Sequence, residues 1–388
     1  MNPTLISAHI ENYKSLGSID LNFKDLTIIV GANSSGKSSC LESLSILRTL
    51  VREGSTPPLR WLDEMQKVGT NEDIKLTIML KEAKKQAEYR VSIAKNAEVD
   101  SDNSQISQET LTVGKTPVID IKNGTGKVRD EDGKNIQDYQ SKPEILALKF
   151  AGNFGKKPVT SQISEFMSRW EFYNLDPDYI RENNERVFSS EKTVNSLDRY
   201  GLKVQDLLKN WYVEQRDKFE DINQDIENYL NIKLKLLRQD EKSILKVIEP
   251  DGSEVGFSNL SDGTLRIIAY CTLLHIPEGP TLIGIEEPER NLHPGILKDI
   301  AAIIKRLSQK MQVVITTHSS QLLDCFTLED INSDVSVILL KKSRSAGTEA
   351  FQLENLSKDC EDLSDWMADF GVGSAIYHSN LLQEILNS

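Results

Sequence analysis

The sequence predicts an α/β fold: a mixed sheet flanked by helices, extended by an antiparallel β lobe and carrying a helical insertion. Three observations predict it. Apolar runs of strand length at residues 26–30, 281–285 and 313–317 each end abruptly in polar residues. Between residues 74 and 122, apolar and polar residues alternate with the period of a strand, and between 161 and 230 apolar residues recur at helical spacing.

In chain order, residues 5–10 and 19–23 are strand-like, and 26–30 is apolar except for Thr27, as suits a strand buried on both faces. A helix follows, with Leu41, Leu44, Leu47 and Val51 on one stripe, and Ser-Thr-Pro-Pro at 55–58 breaks it. Residues 74–78 and 89–93 alternate like antiparallel strands with one solvated face. The glycine-rich, charged stretch 124–133 reads as a surface loop. Val204, Leu207, Trp211, Phe219, Ile222, Ile226 and Leu230 fit one apolar helical face, in a region too short for a long coiled coil. A strand returns at 244–248, and Pro250, Asp251 and Gly252 supply a hairpin turn.

Of the 388 residues, 38% are hydrophobic and 27% charged, the balance of a globular chain with a sizeable core. No apolar run approaches the roughly 18 to 20 residues of a membrane span. Glu11, Lys14 and Asp20 interrupt the region where a signal peptide would be apolar, so the expected location is the cytoplasm, away from membranes. Cys40, Cys271, Cys325 and Cys360 are scattered without a C-x-x-C pair and read as thiols, not zinc ligands or disulfides. The net charge of −13 argues against broad affinity for nucleic acid, which needs a local excess of Lys and Arg. Local basic clusters occur at Lys81, Lys84 and Lys85, at Lys156 and Lys157, at Lys233, Lys235 and Arg238, and at Lys341, Lys342 and Arg344. Each reads first as solvated surface.

Residues Gly31, Ala32, Asn33, Ser34, Ser35, Gly36, Lys37 and Ser38 spell G-x-x-x-x-G-K-[ST] between an apolar strand and a helix, with Ser39 next in the helix. Backbone N–H groups of such a loop cradle phosphates, the lysine reaches the β and γ oxygens, and the serine hydroxyl serves Mg²⁺. The strand at 281–285 ends in Glu286 and Glu287, the arrangement of a Walker B segment: one acid on the metal side, the next placed to orient or deprotonate water. Leu260, Ser261, Asp262, Gly263 and Thr264 open a helix-like run; Ser261 reads as an N-cap whose neighbouring N–H groups can hold an anion, and Gly263 permits close backbone approach. The strand at 313–317 ends in His318.

In this order, the motifs resemble those of ABC ATPases, with the 260–264 turn matching their signature, His318 their switch histidine and residues 291–293 their D-loop; His293 and Pro294 also read simply as a helix start. Ile10, Glu11, Asn12, Tyr13, Lys14 and Ser15, together with Glu286, Glu287, Pro288, Glu289, Leu292, His293 and Pro294, narrow the resemblance to RecF/SMC-like ABC proteins. That group includes OLD nucleases and AAA-type ATPases of antiphage systems. The resemblance implies a head with residues 1–60 and 244–388 as nucleotide-binding core, 70–150 as the β-rich lobe, and 160–243 as the helical insertion. It also implies ATP and Mg²⁺ as cofactors. Glu286 stands where most such families have Asp, and the glutamine of the Q-loop is not fixed among Gln137, Gln140 and Gln162.

The resemblance further implies a homodimer, or a larger assembly, closing on ATP, with Ser261 and Gly263 of one copy reaching the phosphates held by the other. Glu287 would position water and His318 would steady the γ-phosphate. No D-x-D set follows His318, so an appended Toprim nuclease is not expected. The leading function is an ATPase that regulates a separately encoded nuclease or toxin in bacterial antiphage defence. The alternatives are a RecF-like DNA-repair ATPase, for which nucleic acid would be a partner, and a slowly hydrolysing ATP-gated scaffold. A transport subunit fits poorly with about 220 residues between loop and signature, and a GTPase fits poorly without N-K-x-D.

Overall fold

The computed structural model describes residues 3–378 except 84, 96–103, 153–154, 183–195, 240–241, 344–346 and 360. Lys84, Arg344 and Cys360 of the sequence reading therefore lie outside the described residues. Strands β1 (Thr4–Tyr13), β2 (Leu16–Asn22) and β3 (Leu26–Gly31) lead into α1 (Lys37–Glu53) and α2 (Leu59–Met65). Six strands follow: β4 (Ile74–Glu82), β5 (Lys85–Lys95), β6 (Ser104–Val113), β7 (Thr116–Lys122), β8 (Thr125–Val128) and β9 (Gln137–Gln140). Helices α3 (Leu148–Ala151) and α4 (Pro158–Ser168), strand β10 (Trp170–Tyr173), and helices α5 (Pro177–Arg181), α6 (Val204–Glu214) and α7 (Arg216–Leu230) come next. A hairpin region, β11 (Lys233–Gln239), β12 (Lys242–Ile248) and β13 (Glu254–Gly256), precedes α8 (Asp262–Leu274). Then come β14 (Leu282–Glu286), α9 (Leu297–Ser308), β15 (Gln312–Thr317), α10 (Ser320–Leu323) and α11 (Leu328–Asn332). The described chain closes with β16 (Val335–Ser343), β17 (Gly347–Gln352), α12 (Leu353–Asp359), α13 (Glu361–Phe370) and α14 (Val372–His378).

Two large sheets organise these elements. The first has the order β10-β14-β15-β3-β16-β17 and is parallel except for the β16–β17 pair. Its central strand β3 is buried along both faces: Leu26, Ile28 and Val30 pack into one core, Ile29 into the other, as the two-residue period of a strand requires. The second sheet, β2-β1-β4-β5-β6-β7-β8-β9, is antiparallel throughout and shares the core that contains Ile29 and the apolar stripe of α1.

The structure departs from the sequence reading in three places. The stretch read as a surface loop contains β8, which pairs with both β7 and β9. Gly124 turns the chain at φ +76, and Gly126 lies where a Cβ would come within 2.1 Å of the Asp120 carbonyl oxygen, so these glycines serve a tight hairpin. The helical region contains β10, four residues rich in aromatics that pair with β14 at the sheet edge. Its apolar face is divided between α6 and α7, which break at Gln215 and meet through an edge-on Tyr212–Phe219 pair.

Several lysines of the basic clusters are paired with acids. Lys157 is buried against Asp130 at 3.2 Å, and Lys233 and Lys235 pair with Glu227 and Glu254. Cys40 and Cys271 are buried, as expected of thiols in apolar runs. No helix among the described residues is long and apolar enough to cross a membrane.

Candidate active site

Strands β14, β15 and β3 lie side by side and parallel, so their carboxyl ends bring three sequence motifs to one edge. Register pairs Glu286 with Thr316 and Thr317 with Val30. The G-x-x-x-x-G-K-S loop leaves β3 at Gly31 and enters α1 at Lys37. Ser34 and Gly36 hold positive φ of 63° and 104°, which turns the loop tightly. A Cβ on Gly31 would meet Ser35 Oγ at 2.5 Å and the Leu340 carbonyl at 2.8 Å, so the first position must be glycine. Ala32, Asn33, Ser34 and Ser38 face solvent, whereas Ser35 and Lys37 are buried and Ser39 is half-buried. Thr348 of β17 braces the loop by donating its hydroxyl to the Ser35 carbonyl at 2.9 Å.

The Lys37 ammonium donates to the carbonyls of Gly31 and Ala32 at 2.9 and 3.1 Å. Burial pushes its pKa below the usual lysine range, with Glu287 and Glu289 partly opposing that shift. A buried ammonium held by neutral carbonyls, beside a Ser35 hydroxyl buried with no hydrogen-bond partner among the described residues, is a cradle that fits an anionic phosphate.

Glu286 closes β14, and burial raises its carboxyl above the usual range; the charges of Glu42 and Glu287 add to this, while Arg199 and Lys14 oppose it. Glu287, at φ 41°, is anchored by donating its N–H to the Thr316 carbonyl at 3.0 Å. Its Oε1 accepts from His318 Nδ1 at 3.0 Å. Since a carboxylate only accepts, Nδ1 carries the proton of that bond, which leaves Nε2 as the ring nitrogen free to face a ligand. Glu287, Glu289, Arg290, Asn291 and His318 line one cleft of about 450 Å³ with the start of α10.

A family profile described as "AAA domain, putative AbiEii toxin, Type IV TA system" matches residues 26–324. The chain belongs to this AAA family. It is an ATPase, as its motifs imply. The retron Vc95 probable ATPase of Vibrio cholerae serotype O1 biovar El Tor is 24% identical, over 79% of this chain and 68% of that one. Among solved structures, an SMC head bound to the C-winged helix domain of ScpA superposes with a TM-score of 0.50 at 12% identity, covering 90% of this chain and 99% of that one. The SMC head domain from Thermotoga maritima matches with a TM-score of 0.46 at 12% identity, over 90% and 98% of the two chains.

In this AAA ATPase the signature-like turn opens α8. Ser261 is exposed and caps α8, its Oγ accepting from the Thr264 N–H at 3.2 Å, so its own hydrogen bonds stay within the turn. Gly263 is buried where a Cβ would come within 2.9 Å of Ile296 and 3.6 Å of Leu292, which seats the turn on the residues after Glu289. Arg181 of α5 ties the same turn through Asp262 and the Leu260 carbonyl. His293 does start a helical turn, accepting from the Gly295 N–H at 3.1 Å.

Of the three candidate Q-loop glutamines, Gln137 and Gln140 lie on the edge strand β9 of the antiparallel sheet, and Gln162 is exposed on α4. On the outer side of β14 lies β10, whose last pair is Tyr173 with Ile285, and the next residue, Asn174, leaves the strand by donating its N–H to the Arg199 carbonyl at 2.9 Å. No motif marks that asparagine in the sequence. Glu289 was likewise not singled out chemically, although the structure buries it against Thr317 and His318.

Among the described residues no three His, Cys, Asp or Glu side chains converge on one metal position. A Mg²⁺ ion at a phosphate site needs only one or two protein ligands, with phosphate and water completing its shell. Ser38 in the first turn of α1 and Glu286 at the end of β14 carry oxygen donors of the kind such an ion takes.

Proposed function

We propose that this ATPase closes as a homodimer on ATP and regulates a separately encoded effector, a nuclease or toxin, in bacterial antiphage defence. The observation that carries the catalytic part is the Glu287–His318 pair, set at the ends of adjacent strands beside the phosphate loop. In this reading the N–H groups from Gly31 to Ser39 and the Lys37 ammonium bind the phosphates. Ser38 and Glu286 hold Mg²⁺. When bound, Mg²⁺ supplies charge neutralisation on the β and γ oxygens.

Glu287 orients the attacking water and takes its proton, and His318 Nε2 faces the γ-phosphate. Lys37 exchanges its carbonyl partners for phosphate oxygens, relieving a buried ammonium that now lacks an anion. The exposed Ser261 cap supports the dimer: its free side, at the N-terminus of α8, suits the phosphates held by a second copy. Loss of the γ-phosphate removes the charge bridging the two copies, so the interface loosens and the change passes to the partner.

The defence role rests on the retron relative and on the family description. The test is a Glu287→Gln protein with ATP and Mg²⁺ in size-exclusion chromatography with light scattering, followed by capture of the product of the neighbouring reading frame. An ATP-dependent dimer that Ser261→Arg abolishes, and that retains a nuclease or toxin, is expected. A monomer at every ATP concentration would remove the dimer scheme.

A further inference from the structure

Glu289 lies two residues beyond the candidate base and takes no part in the scheme above. Its carboxyl group is almost wholly buried, with the residue 7% exposed. Oε1 accepts from the Thr317 hydroxyl at 2.5 Å and from the His318 backbone N–H at 3.3 Å, and lies 3.9 Å from His318 Nδ1. Thr317 Oγ1 in turn accepts from the Ser319 N–H at 3.0 Å, and Ser319 caps α10. One buried oxygen thus gathers the last residue of β15, the histidine and the start of the next helix. Oε2 is also buried and has no hydrogen-bond partner among the described residues. Burial alone raises this carboxyl group's pKa, opposed by the Thr317 and His318 bonds.

Keeping a half-satisfied carboxyl group in this position is costly unless it does something an apolar residue could not. Ordinary core packing would be met by Leu or Met. What Glu289 adds is an acceptor at the one place where β15 stops and His318 must turn toward Glu287. We infer that Glu289 is a positioning residue for ATP hydrolysis: by holding the Thr317 hydroxyl and the His318 N–H, it fixes where the His318 ring meets Glu287. This inference rests on the roles proposed above for Glu287 and His318. Glu289 touches neither nucleotide nor water in this assignment and acts through the histidine.

Steady-state ATP hydrolysis by full-length Glu289→Ala, Glu289→Gln and Thr317→Val proteins tests it, with melting temperatures recorded for each. Glu289→Ala removes the acceptor and should lower kcat by about tenfold to a hundredfold, with KM for ATP changed less than about threefold, because a misplacement of about 1 Å costs rates of that order. Glu289→Gln keeps an acceptor oxygen of the same reach and should recover kcat to within about threefold of wild type. Thr317→Val should fall between them; it keeps the test open if Glu289→Ala does not fold. Wild-type kcat in Glu289→Ala or in a folded Thr317→Val overturns the inference. So does a Gln variant as slow as the Ala variant, which would make charge and not position the requirement. A wild-type protein without turnover, or a Glu287→Gln protein as fast as wild type, would instead overturn the catalytic reading itself.

Discussion

The Nδ1 atom of His318 lies 3.0 Å from Oε1 of Glu287, although 31 residues separate them in the chain. Both sit at the ends of neighbouring parallel strands, so the sheet sets their separation and neither depends on a long loop. If Glu287 takes the proton of the attacking water, the isosteric amide should bind ATP but turn it over slowly. Glu287→Gln is expected to lower kcat by at least about a hundredfold with nucleotide affinity preserved, measured by phosphate release and by equilibrium binding. His318→Ala should lower kcat as well, and the double variant should be little slower than the worse single one, since the pair acts as a unit.

Lys37 offers a different test, because its ammonium rests on the carbonyls of Gly31 and Ala32. Replacing it with Met keeps the buried stem and removes a charge held by neutral partners. Lys37→Met should therefore leave the melting temperature of the nucleotide-free protein unchanged or slightly raised, while abolishing the rise in melting temperature that ATP and Mg²⁺ give the wild type. A ligand-induced shift equal to that of wild type would remove Lys37 from the phosphate site.

The parts of this site that were legible in sequence are contiguous ones. An apolar run followed by a glycine-rich loop, or by two acids, or by a histidine, announces a strand end and its cargo within one short window. Parallel pairing then does the rest, because residues at the ends of neighbouring strands must meet. What was not legible depends on distant partners. Glu289 is defined by Thr317, and the brace on the phosphate loop comes from Thr348, more than 300 residues away in the chain. Strand β8 was hidden because glycine signals a turn locally, while Gly126 owes its place to an Asp120 carbonyl on the facing strand. Strand β10 is four residues long, too short for a period to declare itself.

The last described helix is tied directly to the residues after His318. Asp324 Oδ1 accepts from the N–H groups of Gly373 and Ser374 at 2.8 and 3.2 Å, and a Cβ on Gly373 would fall 1.9 Å from the Ser320 carbonyl oxygen. That neighbour is backbone and cannot rotate away. Gly373→Ala should thus push α14 off α10 at a cost of about 1–3 kcal/mol, the usual range for overpacking. The expected signs are a lower melting temperature and faster protease cleavage within residues 371–378. An unchanged digestion pattern would show that α14 does not sit against Ser320 in solution.

Glu109 supplies a prediction about pH that is independent of the nucleotide site. Its carboxyl group is fully buried on β6, accepting from the N–H groups of Ala147 and Leu148 at 2.7 and 2.8 Å and from the Tyr89 hydroxyl at 3.1 Å. Burial outweighs those bonds and raises its pKa to about 7 from the ordinary 4.5. The folded protein then holds a proton that the unfolded chain has released between those two values. Stability must accordingly fall as pH rises through that window, by at most about 1.4 kcal/mol per pH unit, and level off above it. Glu109→Gln cannot titrate, so the loss of unfolding free energy between pH 5 and pH 7.5 should be smaller in the variant than in wild type. Urea titrations of both proteins at both pH values measure this double difference, which cancels the contribution of every other group. Equal losses in the two proteins would mean that Glu109 is already ionised throughout, with its three donors strong enough to offset burial.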